Sequence, residues 1–249
     1  MISVLLPAYN GQSYIKMQIE SILNCLSTED ELLVADDNSS DGTLAILYSF
    51  SDPRVKIIER RNNIGLVKSV EDLMTMALGD YIFLSDQDDV WLPDRIKLTL
   101  PLFDQYDLVV VNCSVVNESL DVIQRSYFDI IKPVSGVFQN IIKCRYLGCC
   151  MGMKKSLAKS VLPIPNASPS HDLWIGVVSK LMGFSVGFFY TPLIMYRRHS
   201  CTLSSAATLR SRPLANKIFD RLSFLFVLVL SIKKICSIRC RNLRGFDIN

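Results

Sequence analysis

The 249-residue sequence lacks several features that would place it in other classes of protein. Its eight cysteines form no Cys-x-x-Cys pair and have no histidine nearby at zinc-finger spacing, so we interpret them as small buried hydrophobic residues. No Gly-x4-Gly-Lys-Ser/Thr motif is present, which excludes a P-loop enzyme. The first residues, "MISVLLPAYNG", have neither a basic n-region nor a small-residue cleavage site. We therefore expect a strand there rather than a signal peptide, and reduced cysteines.

A long apolar segment is also missing, although 49% of the residues are hydrophobic and 20% are charged. The apolar core "FLFVLVL" with its flanks spans about ten positions, whereas a membrane-spanning helix needs about 20. Residues 210–249 hold nine Lys/Arg against two Asp, a net charge of +7, while residues 1–209 have a net charge of −4. This pattern predicts a basic amphipathic helix that lies on an anionic membrane surface, packs on the rest of the protein, or does both. No nucleic-acid partner is expected, because the tail has no recognisable reading module.

Apolar strand-like runs and helix-like segments alternate through the first hundred residues. The runs "ISVLLPAY", "ELLVADD", "RVKIIER" and "YIFL" are interpreted as strands, and apolar residues at helical spacing follow the first three. Short connections between such units favour an α/β fold with a mostly parallel, doubly wound sheet and flanking helices.

Polar residues follow three of these expected strands, at positions 9–10, 36–37 and 86–89. Because ligands bind beyond the carboxyl ends of parallel strands, we expect these residues to converge on one edge of the sheet. The carboxylates of "SDQDDVW" repel one another and are costly to bring together unless a cation shares the site. Mg²⁺ and Mn²⁺ prefer oxygen ligands, so a metal bound to a diphosphate fits this segment. A solvated acidic turn that caps the next helix is the alternative.

Five segments occur in the order and at the spacing of a known family: "SVLLPAYNG", "ADDNSSDGT", "NNIG", "SDQDDVWLPDRI" and "HDLWIGVVSKLMG". Over about residues 1–205 the chain resembles the family 2 glycosyltransferases of the GT-A fold, particularly bacterial O-antigen and capsule enzymes of the rhamnosyltransferase type. The resemblance implies a GT-A catalytic domain over residues 1–209. Residues 1–100 would form its nucleotide-binding half and residues 101–209 its acceptor-binding half. The basic helical tail would follow at residues 210–249.

The resemblance also implies roles for individual residues of the donor site. Residues expected to bind the nucleotide sugar are Pro7, Ala8, Tyr9, Asn10, Asp37, Asn63, Gly65, Lys68, Asp86, Gln87 and Arg198. Residues expected to hold a divalent metal ion, Mg²⁺ or Mn²⁺, are Asp86, Asp88 and His199. Asp89 would support the metal site or cap the next turn. After His199 the sequence departs from the family, because Ser-Cys-Thr replaces the usual Gly/Asn run.

The acceptor side is implied in the same way. Asp172, at the start of a helix that follows a Pro/Ser-rich loop, corresponds to the family's general base. Gly148, Cys149, His171 and Trp174 are expected at the acceptor site, where the Trp174 ring would stack on a sugar face. Without the resemblance, the His-Asp pair is equally typical of a helix N-terminus, and the cysteine is typical of a packed strand.

The implied activity is an inverting glycosyl transfer from a nucleoside-diphosphate sugar to an undecaprenyl-diphosphate-linked oligosaccharide. It would take place at the cytoplasmic face of the bacterial inner membrane, in O-antigen synthesis. The expected donor is dTDP-L-rhamnose, with a UDP-hexose or UDP-hexosamine as the alternative. A nucleotidyltransferase fits less well, because "PAYNGQSY" has one glycine and no basic residue where a phosphate loop would lie. A non-catalytic, membrane-associated partner in polysaccharide assembly is the alternative of another class.

Overall fold

A computed structural model describes residues 1–199 and 214–244 of the chain. Within these ranges the central element is a nine-stranded sheet. Its strands are β1 (Ile2–Ala8), β2 (Glu31–Asp36), β3 (Val55–Glu59), β4 (Tyr81–Leu84), β5 (Val90–Trp91), β6 (Leu108–Val116), β7 (Val122–Gln124), β8 (Met151–Lys154) and β9 (Val186–Arg197). Their spatial order is β3-β2-β1-β4-β8-β6-β9-β5, and β7 pairs with β6. Strands β5, β7 and β8 run against the other six, so the prediction of a mostly parallel sheet is confirmed.

Ten α-helices flank the sheet within the described ranges. They are α1 (Ile15–Leu23), α2 (Thr43–Tyr48), α3 (Leu66–Met76), α4 (Arg95–Thr99), α5 (Phe128–Ile131), α6 (Val137–Ile142), α7 (Lys155–Val161), α8 (His171–Leu181), α9 (Leu214–Leu230) and α10 (Ile232–Arg244). A 3₁₀ turn at Gly148–Cys150 precedes β8. Helix α1 shows the cause of this layering, because it buries Ile15, Ile19 and Ile22, which recur on one face of a 3.6-residue period.

Strand β1 determines where the site lies. All seven of its residues are buried, as expected for an apolar run covered on both faces of a parallel sheet. It pairs in parallel with β2 through Ala8 and Asp36, and with β4 through Leu5 and Leu84. The carboxyl ends of the three strands therefore lie side by side.

The tail forms α9 and α10, and both helices pack on the rest of the chain. Phe224 of α9 meets the ring of Trp174 on α8 edge to face, with 6.3 Å between ring centroids. Asn242 of α10 donates a hydrogen bond from Nδ2 to the carbonyl oxygen of Met182 (3.0 Å). Among the described residues, no helix has the length and apolar character needed to cross a membrane.

Candidate active site

The acidic segment 86–89 lies in the loop between β4 and β5, at the carboxyl edge of the sheet. Gln87 ties this loop to the end of β1. Its Oε1 accepts a hydrogen bond from the backbone N–H of Tyr9, and its Nε2 donates one to the Tyr9 carbonyl, both at 2.9 Å. Gly11 leaves room for this amide, because a Cβ at that position would lie 2.3 Å from Gln87 Oε1. The expected convergence of these strand ends is therefore present.

Asp88 and His199, two of the three expected metal ligands, are in direct contact. His199 Nε2 lies 2.8 Å from Asp88 Oδ2, and the imidazole packs on the ring of Tyr14 with 4.7 Å between centroids. Strand β9, which pairs in parallel with β6, carries the chain back to the edge where β4 ends. A carboxylate and an imidazole thus meet although 111 positions separate them.

Arg197 holds the acidic loop in place, a role that was not predicted for it from the sequence. Its Nε donates to the backbone carbonyl of Asp88 (2.8 Å), and its Nη1 donates to the carbonyl of Glu118. Its backbone N–H donates to Asp89 Oδ1 (3.0 Å), and its guanidinium lies 4.7 Å from the ring centroid of Tyr14. Only 3% of the residue is exposed, so Arg197 positions the site from within the fold.

Arg198, the neighbour that was expected to bind the donor, lies half-buried. Its Nε has no hydrogen-bond partner among the described residues, although it is shielded from solvent. Arg197 and Arg198 are adjacent in the sequence, and this pattern does not tell which side chain turns into the fold.

Asp89 is fully buried, and its Oδ2 has no hydrogen-bond partner in the described part of the chain. Burial, together with the charges of Asp88 and Asp86, raises the pKa of Asp89 well above its usual range. Arg95 is also fully buried, and its Nη2 donates to the carbonyl oxygen of Cys149 (2.8 Å). Because Asp89 is buried and its Oδ1 accepts the Arg197 N–H, Asp89 supports the loop from inside the protein.

Asp86 lies close enough to the general-base candidate, Asp172, for their charges to interact. Burial, followed by the charges of Asp88 and Asp172, raises the pKa of Asp86 to about 7. Asp172 is held at the amino end of α8, where its Oδ1 accepts hydrogen bonds from Ser170 Oγ and from the Leu173 backbone N–H (2.7 Å). Asp172 thus shares one electrostatic environment with Asp86 and Asp88, although it lies far from them in the sequence.

His171 and Gly148 pack against each other beside Asp172. A Cβ at Gly148 would lie 2.3 Å from His171 Nε2, so only glycine fits there without displacing the ring. Burial lowers the pKa of His171, and the charge of Asp172 offsets part of this effect. The imidazole is therefore packed against Gly148 next to the expected acceptor side.

Asp37, which is expected to bind the nucleotide sugar, directly follows β2 and is 4% exposed. Its two carboxylate oxygens accept the backbone N–H groups of Ile64 (2.9 Å) and Gly65 (2.8 Å). Asn63 Oδ1 accepts the same Gly65 N–H at 3.0 Å, and Gly65 adopts a φ of +83°, which favours glycine. Asp37 therefore shapes the Asn-x-Gly loop next to the ends of β1 and β2.

Other expected donor-site residues lie on the same edge. Pro7 and Ala8 end β1 inside the sheet, while Asn10 is exposed, with a φ of +49°. Its Oδ1 accepts the backbone N–H of Ser40 (2.8 Å), which joins the loops after β1 and β2. Lys68 lies on α3, where its Nζ pairs with Glu71 (2.5 Å).

The structure corrects the interpretation of Trp174. The residue is 2% exposed, its Nε1 donates to the carbonyl oxygen of Val161 (2.8 Å), and its ring packs on Phe224. A ring in this environment has no face for a sugar, because the helical periodicity of α8 points it into the core. Cys149 is likewise fully buried, with its thiol beside the Asp86 and Asp89 carboxylates.

Strand-end carboxylates, an aspartate at a helix N-terminus and a returning histidine thus lie in one electrostatic environment at the carboxyl edge of an α/β sheet. The model of the family described as "Glycosyl transferase family 2" matches residues 3–162. The chain therefore belongs to glycosyl transferase family 2, and the protein is a glycosyltransferase.

Individual proteins similar to this chain are also named as glycosyltransferases. The chain is 26% identical over 218 residues to the putative teichuronic acid biosynthesis glycosyltransferase TuaG of Bacillus subtilis, covering 82% of both chains. It is 22% identical over 210 residues to the UDP-Glc:alpha-D-GlcNAc-diphosphoundecaprenol beta-1,3-glucosyltransferase WfgD of Escherichia coli, covering 82% of this chain and 80% of WfgD.

Solved structures show the same fold. S. aureus TarS 1-349 in complex with UDP-GlcNAc superposes with a TM-score of 0.68 at 18% identity, over 91% of this chain. The chain spans 66% of that TarS fragment. The mannosyltransferase PcManGT from Pyrobaculum calidifontis, in complex with GDP-Man and Mn²⁺, superposes with a TM-score of 0.58 at 15% identity, over 95% of this chain. The GT-A fold implied by the sequence motifs is thereby confirmed.

The possible metal-ligand atoms at this edge of the sheet fit a hard divalent cation. Asp88 Oδ2 and His199 Nε2 are adjacent, and the Asp86 carboxyl shares their environment. Ligand atoms of Asp86, Asp89 and Cys149 also lie within 4.8 Å of one another. A buried thiol is a poor ligand for Mg²⁺ or Mn²⁺, so the Asp88–His199 side is the better fit for these ions.

Proposed function

We propose that this enzyme transfers a sugar from a nucleoside-diphosphate sugar to a lipid-linked oligosaccharide during the synthesis of a bacterial cell-surface polysaccharide. Peripheral attachment to the cytoplasmic face of the inner membrane is part of this proposal, because the lipid of such an acceptor stays in the bilayer. The names of TuaG and WfgD support the class of product, and the name of WfgD supports a diphosphoundecaprenol acceptor.

One observation carries the proposal: Asp88, which contacts His199, and Asp172 both lie close enough to the Asp86 carboxyl for their charges to act on it. The first pair would bind the diphosphate side of the donor through a cation. The aspartate on α8 would meet the acceptor. A glycosyltransferase needs these two functions on opposite sides of the anomeric carbon.

Asp172 is the proposed general base. Its Oδ1 is occupied by hydrogen bonds from Ser170 and Leu173, which fix the carboxylate and leave Oδ2 to accept a proton. As the acceptor hydroxyl attacks the anomeric carbon, its proton passes to Asp172. The bond to the nucleoside diphosphate breaks on the opposite face, so the anomeric configuration inverts.

Asp88 and His199 would hold Mg²⁺ or Mn²⁺, with Asp86 as a third ligand. The bound ion would supply positive charge against the diphosphate as it leaves. Arg197, two residues before His199, donates hydrogen bonds to both Asp88 and Asp89. It thereby holds the acidic loop next to the chain segment that carries His199. These contacts would preorganise the site before a donor arrives.

The nucleotide is the finer part of the proposal. The motif resemblance favours dTDP-L-rhamnose. The name of WfgD contains UDP-Glc, and the TarS structure contains UDP-GlcNAc. UDP and dTDP are therefore the two nucleotides to compare first.

A thermal-shift screen of the purified full chain with UDP, dTDP, GDP and CDP, each with and without Mn²⁺, tests the donor side. We expect one diphosphate to raise the Tm only when Mn²⁺ is present. A ligand at 100 times its Kd stabilises a protein by about 2.7 kcal/mol, which corresponds to about 5–10 °C for a chain of this size. Asp88→Ala should remove the metal-dependent shift.

Asp94→Ala is the matched control, because Asp94 lies on the same segment, is exposed, and makes no side-chain cap hydrogen bond. It should leave the shift unchanged. The absence of a shift with every diphosphate would favour the non-catalytic alternative. An unchanged shift in Asp88→Ala would contradict the metal site and support the alternative interpretation of the acidic loop as a solvated turn.

A further inference from the structure

Helix α9 exposes a wide apolar face although it is docked on the protein. Its inner face is formed by Phe224, Val227 and Leu228, all at least 92% buried. Seven large apolar residues, each 43–70% exposed, lie on the outer face: Ile218, Phe219, Leu222, Leu225, Phe226, Val229 and Leu230. At 3.6 residues per turn they cover an arc of about 140°, in which no polar residue occurs.

Helix α10, which follows after one residue, continues this surface with positive charge. It has no Asp or Glu, and it exposes Lys233, Lys234, Arg239 and Arg241. Two more apolar side chains are exposed on α10, Ile232 at 52% and Leu243 at 57%. An apolar face beside an acid-free basic helix is the pattern of a surface that enters the headgroup region of an anionic bilayer.

We propose that the outer face of α9 inserts into the headgroup–acyl boundary of an anionic lipid bilayer, with α9 parallel to the membrane plane and α10 contacting the headgroups. This inference rests on the proposed function only in that a lipid-linked acceptor makes such a location useful. At 1.5 Å per residue the 17 residues of α9 extend about 25 Å, less than the 30 Å or so of a hydrocarbon core. The helix therefore suits the interface rather than a span.

The charge pattern favours a bilayer over a second copy of the chain. A symmetric dimer through α9 would use the same patch on both copies, so each copy would bring its basic α10 to the margin of the contact. Like charges at such a contact are unfavourable. Anionic phospholipids supply the opposite charge and an apolar layer at the same surface.

The docking of α9 links this surface to the catalytic site. Its inner residue Phe224 packs on Trp174, which lies in the first turn of α8 beside Asp172. Packed helices are about 8–10 Å apart, so the axis of α8 would lie one helix layer further from the bilayer than α9.

Vesicle flotation of the full chain tests the proposal. Vesicles of phosphatidylglycerol and phosphatidylethanolamine should bind the wild type, and neutral phosphatidylcholine vesicles should bind it more weakly. The double variant Phe219→Gln/Phe226→Gln should lower partitioning onto the anionic vesicles about tenfold or more, because two inserted rings are lost. Lys233→Gln/Arg241→Gln should lower binding to anionic vesicles and leave binding to neutral vesicles unchanged.

The matched control is Leu78→Gln/Ile123→Gln, which changes two apolar residues of similar exposure (59% and 61%) outside the tail. It should bind vesicles like the wild type. The proposal is overturned if the wild type does not bind anionic vesicles, or if both double apolar variants bind equally. It is also overturned if light scattering shows a wild-type dimer that Phe219→Gln/Phe226→Gln dissociates.

A fluorescence measurement separates insertion from adsorption. Trp91 and Trp174 are 3% and 2% exposed, so a Phe226→Trp variant adds the membrane-facing indole. Lipids brominated on their acyl chains should quench this added emission, and lack of quenching would overturn insertion. The metal-dependent nucleotide shift should be the same in Phe219→Gln/Phe226→Gln and wild type. If neither protein shows the metal-dependent nucleotide shift, this would count against the proposed transferase activity, but the vesicle result would still stand.

Discussion

Carboxylates lie at both ends of the strands of the central sheet: at the amino edge, where the parallel strands begin, and at the carboxyl edge, where they end. The surroundings of these carboxylates differ between the two edges. At the amino edge, Glu31 of β2 accepts hydrogen bonds from Ser3 Oγ (2.5 Å), from the Leu78 backbone N–H (2.8 Å) and from Lys56 Nζ (2.7 Å). Burial alone would raise the pKa of Glu31, but these hydrogen bonds outweigh burial and lower it.

Asp107, before β6 on the same edge, follows the same pattern. Its Oδ2 accepts hydrogen bonds from the N–H and Oγ of Ser185 (2.9 and 2.8 Å), and its Oδ1 lies 3.2 Å from Lys154 Nζ. These partners outweigh burial, and the pKa of Asp107 is lowered.

At the carboxyl edge the balance is reversed. Burial and neighbouring acids raise the pKa of Asp86 to about 7 and that of Asp89 well above its usual range. No described cation pairs with either carboxylate. The amino edge completes its charges with the protein's own groups, whereas the Asp86–Asp89 loop of the carboxyl edge has negative charge to which a cation and donor can bind.

The largest predicted effect concerns catalysis at the carboxyl edge. Asp172→Asn should lower turnover about 10²–10⁴-fold, because the amide cannot accept the acceptor's proton. The amide oxygen can still accept the Ser170 and Leu173 hydrogen bonds, so donor-nucleotide affinity and Tm should change little. Turnover assays and nucleotide titration check this. Asp104→Asn, an exposed site, is the control, and wild-type turnover in Asp172→Asn would contradict the assignment.

An intermediate effect is predicted at the amino edge, in stability. Glu31→Gln should lower the free energy of unfolding at pH 7 by about 1–3 kcal/mol, because the amide group faces Lys56 with a donor instead of an acceptor. Nucleotide affinity should stay at the wild-type value, since the two edges lie at opposite ends of the strands. Urea unfolding and nucleotide titration of the same sample measure both.

The pH dependence of the free energy of unfolding tests the direction of the Glu31 pKa shift. A lowered pKa means that the folded state binds fewer protons than the unfolded state, so the stabilisation is complete above the unfolded value of about 4.3. It is lost as the pH falls through the lower folded value. The stability difference between wild type and Glu31→Gln should therefore be constant near neutral pH and shrink below about pH 4. A difference that grew on acidification would have the wrong sign.

The amino half of the fold could be predicted from the sequence because its signals are local. Strands β1 to β4 are short apolar runs that end at polar residues, and α1 to α3 have a 3.6-residue period. The antiparallel strands β5 and β7 were not predicted. Each has only two or three residues, and pairing with β9 or β6 defines it.

The site shows the same division between local and long-range information. The acidic loop and the Asn-x-Gly turn were visible as motifs. The roles of Arg197 and Trp174 depend on which way a side chain turns, and contacts over 100 positions away fix this for Arg197. Two adjacent arginines look alike in a sequence, and an aromatic residue in a helix does not reveal whether it faces core or ligand.

The smallest predicted effect reverses the sign seen at Glu31. Asp89→Asn keeps an oxygen for the Arg197 N–H and removes a buried carboxyl whose ionised form is already disfavoured by Asp86 and Asp88. With EDTA present at pH 7, its free energy of unfolding should equal that of the wild type or exceed it by about 1 kcal/mol, as when a buried charge is replaced by a neutral group. Urea unfolding measures this. A loss as large as that of Glu31→Gln would show that Asp89 is a completed structural carboxylate like those of the amino edge, and the contrast between the edges would fail. A neutral or positive change, combined with a reduced Mn²⁺-dependent nucleotide shift, would show that this carboxyl serves the site at no gain in stability.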